Sequence, residues 1–327
     1  MEDPSIVIPH LPNDVIIEIL TRLPVKPLLK FKRVCKSWRA LISSTQIVAA
    51  HLEFTKSARN LTTHRLILKY RGNTMKQCSV NSILHQSVPE AFDLSCSLLS
   101  ERHQFWVVGS CNGLVFLLID KKEMILWNPS TGICKKLPDF GVEINVGHNY
   151  TYGLGYDKSS DDYKVVGFFN GNRDLSEVMM QVYSLKNDKW KRIENFKGRW
   201  SLDGTATFAN GKLYWIAYQG YELKPCLDIL SVDLETEEYE ILQMPSYVKR
   251  GYYSRLGGAW EGSLHVLCSH MESADVWIMD VGGGDWTKVA TIPYINDLLK
   301  NTCIRRLGTR VNSFESVLIW KVYEADH

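Results

Sequence analysis

The 327-residue chain lacks long hydrophobic runs. No stretch of aliphatic and aromatic residues is longer than that of Leu114–Ile119, whereas a membrane-spanning helix needs about 20 apolar residues. The N-terminus is acidic and lacks the basic start and apolar core of a secretory signal. We therefore expect no membrane partner, and we expect the protein in the cytoplasm, the nucleus or both.

Closely spaced cysteine pairs are also missing from the sequence. The eight cysteines are scattered, with no C-x-x-C pair among them, so their spacing fits neither a disulfide scaffold nor a zinc site. His265, Cys268 and His270 resemble metal ligands, but on a strand His265 points away from the other two. We expect no metal and no cofactor, and cysteines that serve as small hydrophobic residues in a reducing compartment.

The usual enzyme motifs are absent as well. The sequence has no G-x-S-x-G, no P-loop, no H-E-x-x-H and no EF-hand loop. Gly153-x-Gly155 precedes Tyr156 instead of a third glycine that opens a helix, so a dinucleotide site is not indicated. The carboxylates of Asp157, Asp161 and Asp162 fit a polar hairpin turn better than a calcium loop. The sequence thus predicts a protein without catalytic residues.

Charge is unevenly distributed. Residues 1–60 carry nine basic and five acidic residues, a net charge of +4, and the remainder carries 29 basic and 31 acidic residues, a net charge of −2. Between Arg22 and Arg39 there are seven basic residues and no acidic one. A nucleic-acid binder is one interpretation, but the cluster is short. A solvated helix face explains it better, and we expect no nucleic-acid partner.

The first 50 or so residues have a helical pattern. Ile16, Ile19, Leu20 and Leu23 recur with the spacing of one helix face. Asn13 or Asp14 can cap this helix, and Pro24 ends it. Pro27 suits the first turn of a second helix, and Val34, Trp38 and Leu41 form the stripe of a third. Three short helices offer more apolar residues than one small core needs. The surplus either packs on the downstream region or binds a partner.

This helical segment closely resembles an F-box of the plant type, over residues 10–50 or so. The matching sub-motifs are Leu11-Pro12-x-Asp14, Glu18-Ile19-Leu20-x-Arg22-Leu23-Pro24-Val25-Lys26, Leu28-Leu29-x-Phe31 and Val34-Cys35-Lys36-Ser37-Trp38-Arg39-x-Leu41-Ile42. The resemblance implies binding to a Skp-type adaptor, and through it to a cullin and a ubiquitin-conjugating enzyme. The positions it implies for the adaptor contact are Leu11, Pro12, Ile16, Leu20, Leu23, Pro24, Val25, Leu28 and Trp38.

From residue 64 onward, short β-branched and aromatic runs alternate with turn signals. Asn112-Gly113, Asn210-Gly211 and Glu261-Gly262 each separate two apolar runs, and Asn-Gly is a strong hairpin signal. The three glycines lie 98 and 51 residues apart, which indicates a period of about 50 residues, near that of kelch repeats. The phases fall near 64, 113, 162, 211, 262 and 312.

A second hairpin repeats in the same phase. Asn128, Ser184, Asp233 and Asp280 begin equivalent turns, and an aromatic residue follows six positions later in three copies. Cys134 takes that position in the first copy. Two hairpins per unit predict four-stranded blades of a kelch-like β-propeller, up to six in number, of which the last is short. That last blade either closes with strands from the N-terminal side or leaves the ring incomplete. A β-sandwich, the alternative, does not explain the period.

Residues 65–295 or so resemble the F-box-associated domain of plant F-box proteins. The matching residues are Ser110-Cys111-Asn112-Gly113-Leu114, Leu126-Trp127-Asn128-Pro129-Ser130-Thr131, Gly153-Leu154-Gly155-Tyr156-Asp157, Asp162-Tyr163-Lys164-Val165-Val166 and Asn210-Gly211-Lys212-Leu213-Tyr214-Trp215. The resemblance implies that this domain holds a protein to be ubiquitylated. The prediction is a mainly β protein with an F-box over 1–50, a linker over 51–63 and a propeller over 64–327.

Three function classes follow. The first is a substrate receptor of a Skp-cullin-F-box ubiquitin ligase, which has no active site of its own. The second is a kelch-like propeller that binds a carbohydrate or glycoprotein, or acts as an enzyme, and the third is the nucleic-acid binder. For the first class, the longer loops between strands two and three, and between blades, are the candidate substrate surface. Its candidate residues are His148, Tyr150, Arg173, Tyr218, Tyr221, Tyr247, Lys249, Arg250, Tyr252 and Tyr253.

Overall fold

A computed structural model gives the fold of the chain. It describes residues 11–57, 64–69, 74–88, 90–100, 103–141, 149–170, 178–193, 200–219, 226–244, 253–260, 263–270, 272–279, 285–293 and 320–323. The helices are α1 (Asn13–Arg22), α2 (Val25–Phe31), α3 (Lys36–Ile42), α4 (Thr45–Ser57) and α5 (Val80–His85). Within these ranges no helix is long and apolar enough to cross a bilayer.

The N-terminal bundle contains four helices instead of the three expected, which corrects the three-helix prediction. Leu20, Leu28 and Ile42 from α1, α2 and α3 form its core. The unexpected α4 contacts α1 and α3 and buries Ile47. It also covers the first seven residues of the expected linker, 51–57. The sequence signal for α4 is Ser44, because serine is a common helix N-cap. In the structure its hydroxyl accepts a hydrogen bond from the Ile47 amide.

The first two helices begin directly after prolines, and the third begins after a cysteine. α1 begins at Asn13, directly after Pro12. Neither Asn13 nor Asp14 acts as the expected cap. Asp14 instead lies in the first turn, where the positive end of the helix dipole stabilises its carboxylate. Pro27 lies in the first turn of α2, as expected. α3 is capped by Cys35, whose sulfur accepts from the Trp38 amide at 3.4 Å.

In the described ranges, twenty strands follow the bundle. They are β1 (His64–Lys69), β2 (Met75–Ser79), β3 (Ala91–Leu94), β4 (Phe105–Cys111), β5 (Leu114–Ile119), β6 (Glu123–Trp127), β7 (Cys134–Lys136), β8 (Asn149–Asp157), β9 (Asp162–Asn170), β10 (Val178–Ser184), β11 (Lys189–Ile193), β12 (Trp200–Ala209), β13 (Lys212–Gln219), β14 (Cys226–Asp233), β15 (Tyr239–Gln243), β16 (Tyr253–Trp260), β17 (Ser263–Ser269), β18 (Ser273–Met279), β19 (Trp286–Pro293) and β20 (Trp320–Tyr323). All the paired strands are antiparallel.

The strands form five four-stranded sheets, which are the blades of a propeller. The second to fifth sheets contain β4–β7, β8–β11, β12–β15 and β16–β19, and the first has the order β20-β1-β2-β3. The four-stranded unit is therefore as expected, whereas the upper estimate of six blades is wrong. The phases near 64 and 312 belong to one blade, because β20 pairs with β1 from His64↔Tyr323 to Ile67↔Trp320.

The first strand of each sheet lies nearest the propeller axis. Contacts between sheets are made chiefly by β20, β4, β8, β12 and β16. Gly153 and Gly155 allow β8 to approach β12 closely. A Cβ on Gly153 would lie 2.4 Å from the Ala206 Cβ, and one on Gly155 would lie 2.5 Å from the Leu234 Cδ1. The glycines that could suggest a dinucleotide site thus serve sheet packing.

The tight turns confirm the repeat. Asn112 and Gly113 have φ of 49° and 87°, and Asn210 and Gly211 have φ of 43° and 76°, as a type I′ turn requires. The Glu261-Gly262 turn lies outside the described residues. Turns after strand one and turns after strand three share one face, since the Leu234 amide donates to the Gly211 carbonyl at 3.0 Å. We call this the tight-turn face, and the opposite side the long-connection face.

The helical bundle lies on the tight-turn face. β1 occupies the second-strand position of the first sheet and begins at His64, opposite the end of β20. The start of a second strand lies on the face that carries the Asn-Gly turns. Six residues separate the end of α4 from the start of this strand, and α4 contacts β20. The long-connection face is therefore directed away from the helices.

Candidate interaction surfaces

The helical bundle exposes apolar side chains that its own core does not use. Leu11 is 57% exposed, Ile19 is 47% exposed and Val34 is 65% exposed. Val15, one turn before Ile19, is also exposed. Because a small bundle gains nothing from apolar groups in water, this pattern is typical of a surface that another protein covers.

Three residues expected at the adaptor contact are buried in this structure. Leu20, Val25 and Leu28 are at most 1% exposed, so here they stabilise the core of the bundle. Their role at the adaptor contact stays a prediction, because a periodic pattern identifies a helix face but not what covers it. Pro12 and Pro24 are exposed, and Ile16 and Leu23 are half-buried against the core.

Trp38 is half-buried and packs between helices, and its expected contact with the adaptor stays a prediction. Its ring packs edge-on against Phe31 at 5.5 Å between centroids, which connects α3 to α2. The remaining exposed part of the ring is available to a partner. Sequence reasoning missed Val15, Ile19 and Val34 as surface residues, although Ile19 belongs to the stripe from which α1 was predicted.

The same bundle also exposes basic side chains. Lys26, Lys30, Arg33, Lys36 and Arg39 are all exposed. Arg22 pairs with Glu18 at 2.6 Å on the outside of α1, and such an exposed pair contributes little to stability. The surface therefore favours a partner that is apolar at the centre of the contact and acidic at its edge.

Most of the candidate substrate residues lie in connections outside the described residues. These are His148, Arg173, Tyr221, Tyr247, Lys249, Arg250 and Tyr252. Tyr253 begins β16, and only its backbone is described. The structure describes the side chains of Tyr150 and Tyr218, both half-buried at the ends of strands that lead into long connections.

Tyr150 supports the base of a long connection. Its ring lies 5.8 Å from that of Tyr152 and packs against the core between the second and third sheets. Burial raises the pKa of Tyr150 to about 12, so its hydroxyl is neutral and can donate a hydrogen bond. Tyr218 packs in the same manner against the core of the fourth and fifth sheets.

Sequence reasoning missed a polar cluster at the β17–β18 connection. The Asp275 carboxylate lies 3.1 Å from His270 Nε2 and 2.8 Å from Lys288 Nζ, and it accepts from the Thr291 hydroxyl. Burial would raise the pKa of Asp275, but the hydrogen bonds from Lys288 and Thr291 lower it. This cluster stabilises the fifth sheet at the long-connection face.

The metal interpretation gains no support at this cluster. Cys268 is buried in the core, and His270 pairs with Asp275 beyond the end of β17. Burial lowers the pKa of His265, whose side chain is half-buried. Across the described ranges, no group of three or more His, Cys, Asp or Glu side chains is arranged to hold a metal ion.

An ion-pair cluster around Asp157, at the β8–β9 turn, joins two sheets. Lys164 Nζ lies 3.0 Å from the Asp157 carboxylate and 3.3 Å from that of Glu237, and it donates to the Leu234 carbonyl at 2.6 Å. Burial would raise the pKa of Asp157, yet hydrogen bonds from Ser160, Ser159 and Lys164 lower it. The cluster is thus an ion-pair clamp between the third and fourth sheets.

Comparison with known proteins agrees with both halves of the structure. The family model of the F-box domain matches residues 8–48, and that of the F-box associated beta propeller domain matches residues 68–319. An F-box/kelch-repeat protein of Arabidopsis thaliana is 32% identical over 304 residues, which cover 89% of this chain and 82% of that protein.

More distant similarity is also found. The F-box protein CPR1 of Arabidopsis thaliana is 28% identical over 309 residues, which cover 86% of this chain and 73% of that protein. Among solved structures, YjhT gives a TM-score of 0.41 at 9% identity, covering 72% of this chain and 86% of its own; that score is too low to support an argument. The family matches and the first relative are sufficient: the chain belongs to the F-box proteins that carry an F-box-associated β-propeller.

Proposed function

We propose that this chain is the substrate-recognition subunit of a Skp-cullin-F-box ubiquitin ligase. The helical bundle binds a Skp-type adaptor, and the propeller binds a protein that is then ubiquitylated and degraded by the proteasome. The observation that carries this proposal is that the helical bundle, which exposes apolar side chains, joins the propeller on its tight-turn face, opposite the long-connection face. One chain can then hold an adaptor and a substrate without mutual obstruction.

Catalysis belongs to the complex in this proposal. The cullin and the ubiquitin-conjugating enzyme supply the chemistry, while this chain brings the target close to them. Its contribution is position, so it needs no cofactor. We propose that the complex acts in the cytoplasm, the nucleus or both, in keeping with a cysteine spacing that fits no disulfide scaffold.

Charges on the exposed apolar surface are expected to abolish adaptor binding. Leu11→Asp combined with Ile19→Asp places two carboxylates where the partner buries apolar groups. Each lost side chain removes about 1.5–3 kcal/mol of burial, and an unpaired buried charge costs more. We expect affinity for a purified Skp adaptor to fall at least about 100-fold, as measured by calorimetry.

The matched control is Val289→Asp combined with Ile292→Asp, at two exposed apolar residues of β19. This variant carries the same added charge on the outer strand of the fifth sheet. It should bind the adaptor as the wild type does. Charge at Leu20 is unsuitable for the test because it would disrupt the bundle core. Unchanged adaptor affinity in the Leu11/Ile19 variant, with a normal helical circular-dichroism signal, would refute the surface.

Substrate capture is expected to depend on the long-connection face. Alanine at Tyr247, Arg250, Tyr252 and Tyr253 removes side-chain types that commonly anchor interfaces. We expect partners co-purified during proteasome inhibition to be reduced at least about tenfold, a loss of roughly 1.4 kcal/mol, with the adaptor still captured.

The comparison variant carries alanine at Lys158, Asn187 and Glu235, which are exposed turn residues of the tight-turn face. It should retain the same partners. If this variant loses them while the four-alanine variant keeps them, the assignment of the substrate face is wrong, although adaptor binding is untouched by that result.

A further inference from the structure

Two cysteines meet at the seam between the first and second sheets. The sulfur atoms of Cys96 and Cys134 lie 3.1 Å apart. Cys96 follows β3, the outer strand of the first sheet, and Cys134 begins β7, the outer strand of the second. The sulfurs need to approach by only about 1 Å to reach the 2.05 Å of a disulfide bond.

Cys134 departs from the repeat at this position. In the third, fourth and fifth sheets the equivalent residues are Trp190, Tyr239 and Trp286, each the partner of a strand-three residue. In the second sheet Cys134 pairs with Trp127 in the same register. A thiol therefore stands where the other copies have an aromatic ring, and a second thiol faces it.

The two thiols differ in their access to solvent. Cys134 is half-buried and receives a hydrogen bond from the Ser97 hydroxyl at 3.8 Å. Cys96 is 4% exposed, and burial, with the hydrogen bond to Cys134, raises its pKa to about 11. A small oxidant thus reaches Cys134 first, and Cys96 is placed to react with the product.

We infer that Cys96 and Cys134 form a redox-modifiable pair that is closed to a disulfide by hydrogen peroxide. The Cys134 thiol gives up its proton and its sulfur attacks one peroxide oxygen. The O–O bond breaks, and the expelled hydroxide takes up that proton and leaves as water, so that Cys134 becomes a sulfenic acid. The Cys96 sulfur then attacks Cys134 Sγ, the S–O bond breaks, and a second water leaves with the Cys96 proton. The two sulfurs are oxidised, and one peroxide is reduced to two waters.

The bond would tie the first sheet to the second. It encloses residues 96–134, which include β4, β5 and β6. The first sheet also contains β20 from the far end of the chain. Oxidation would therefore stabilise the seam next to the blade in which the two ends of the propeller sequence meet.

The test uses the full-length chain with Cys35→Ser, which removes an exposed thiol whose pKa is lowered by hydrogen bonds from Ser37 and the Trp38 amide. The reduced protein is treated with one equivalent of hydrogen peroxide, unfolded and alkylated with a maleimide. We expect two fewer alkylated cysteines and a linked peptide pair containing residues 96 and 134. The apparent Tm should rise by about 5 °C and return with dithiothreitol.

Two further variants decide the outcome. Adding Cys134→Ser should abolish the linked peptide and the thermal shift, whereas adding Cys268→Ser, at a buried cysteine of the fifth sheet, should leave both. The inference is overturned if the linked peptide is absent while Cys134 is found as a sulfinic acid. It is also overturned if peroxide joins Cys96 or Cys134 to a different cysteine.

Discussion

Gly153→Ala is expected to destabilise the propeller although it adds a single methyl group. The new Cβ would lie 2.4 Å from the Ala206 Cβ, 3.0 Å from Trp215 Cζ2 and 3.1 Å from Leu213 Cδ2. Ala206 has no rotamer with which to withdraw, so β8 must move away from β12. Overpacking of this kind costs typically 1–3 kcal/mol, and we expect a Tm lower by about 5–10 °C in a thermal melt.

The matched control is Gly109→Ala on the neighbouring inner strand. There the nearest atoms to the new Cβ are those of Leu154, at 3.7 Å, which is ordinary van der Waals contact. We expect its Tm to stay within about 2 °C of the wild type, since an alanine that fits costs little. Equal melting temperatures for the two variants would show that β8 and β12 do not pack as described.

Lys164→Met should cost about 3–5 kcal/mol of unfolding free energy. The lysine lies between Asp157 and Glu237 with its side chain 9% exposed. Methionine keeps the stem but leaves one buried carboxylate without its cation and the Leu234 carbonyl without a donor. Urea unfolding of the purified chain measures the loss.

Lys136→Met is the control for that experiment. Lys136 pairs with Glu123 at 2.7 Å, with both side chains about half exposed, and such pairs contribute about 0–1 kcal/mol. A Lys164→Met variant that unfolds at the same urea concentration as Lys136→Met would contradict the role of the clamp.

The pKa shifts of Asp157 and Lys164 predict the pH range over which the ion-pair clamp stabilises the protein. The lowered pKa of Asp157 means that its contribution is present above the ordinary aspartate pKa and is lost as pH falls through the lowered value. The pKa of Lys164 is raised by Asp157 and Glu237, against the opposing effect of burial. Its contribution is therefore present below the ordinary lysine pKa and is lost as pH rises through the raised value.

Local patterns allowed much of the fold to be predicted. Asn112-Gly113 needs only its own two backbone conformations to make a hairpin, so the turn can be read without knowledge of its neighbours. The pairing of β20 with β1 has no such local signal, because the partners lie about 250 residues apart in sequence. That is why the sequence yielded six phases for five sheets.

The surfaces were predictable only in part for a related reason. Ile19 and Leu20 are adjacent and equally apolar, yet one faces solvent and the other the bundle core. Which of the two is covered depends on the side of α1 against which α2 and α3 pack, and composition does not specify that side. The substrate candidates depend on loop conformations, which side-chain type alone does not determine.

The position of β20 has a consequence for how the protein is made. A ribosome releases the helical bundle first, and N-terminal units fold as they emerge. The inner strand of the first sheet is delivered only when residues 320–323 have been translated. A chain whose synthesis stops early therefore has a finished helical bundle beside an incomplete first sheet. Under the proposed function, such a product would compete for the adaptor and deliver no target.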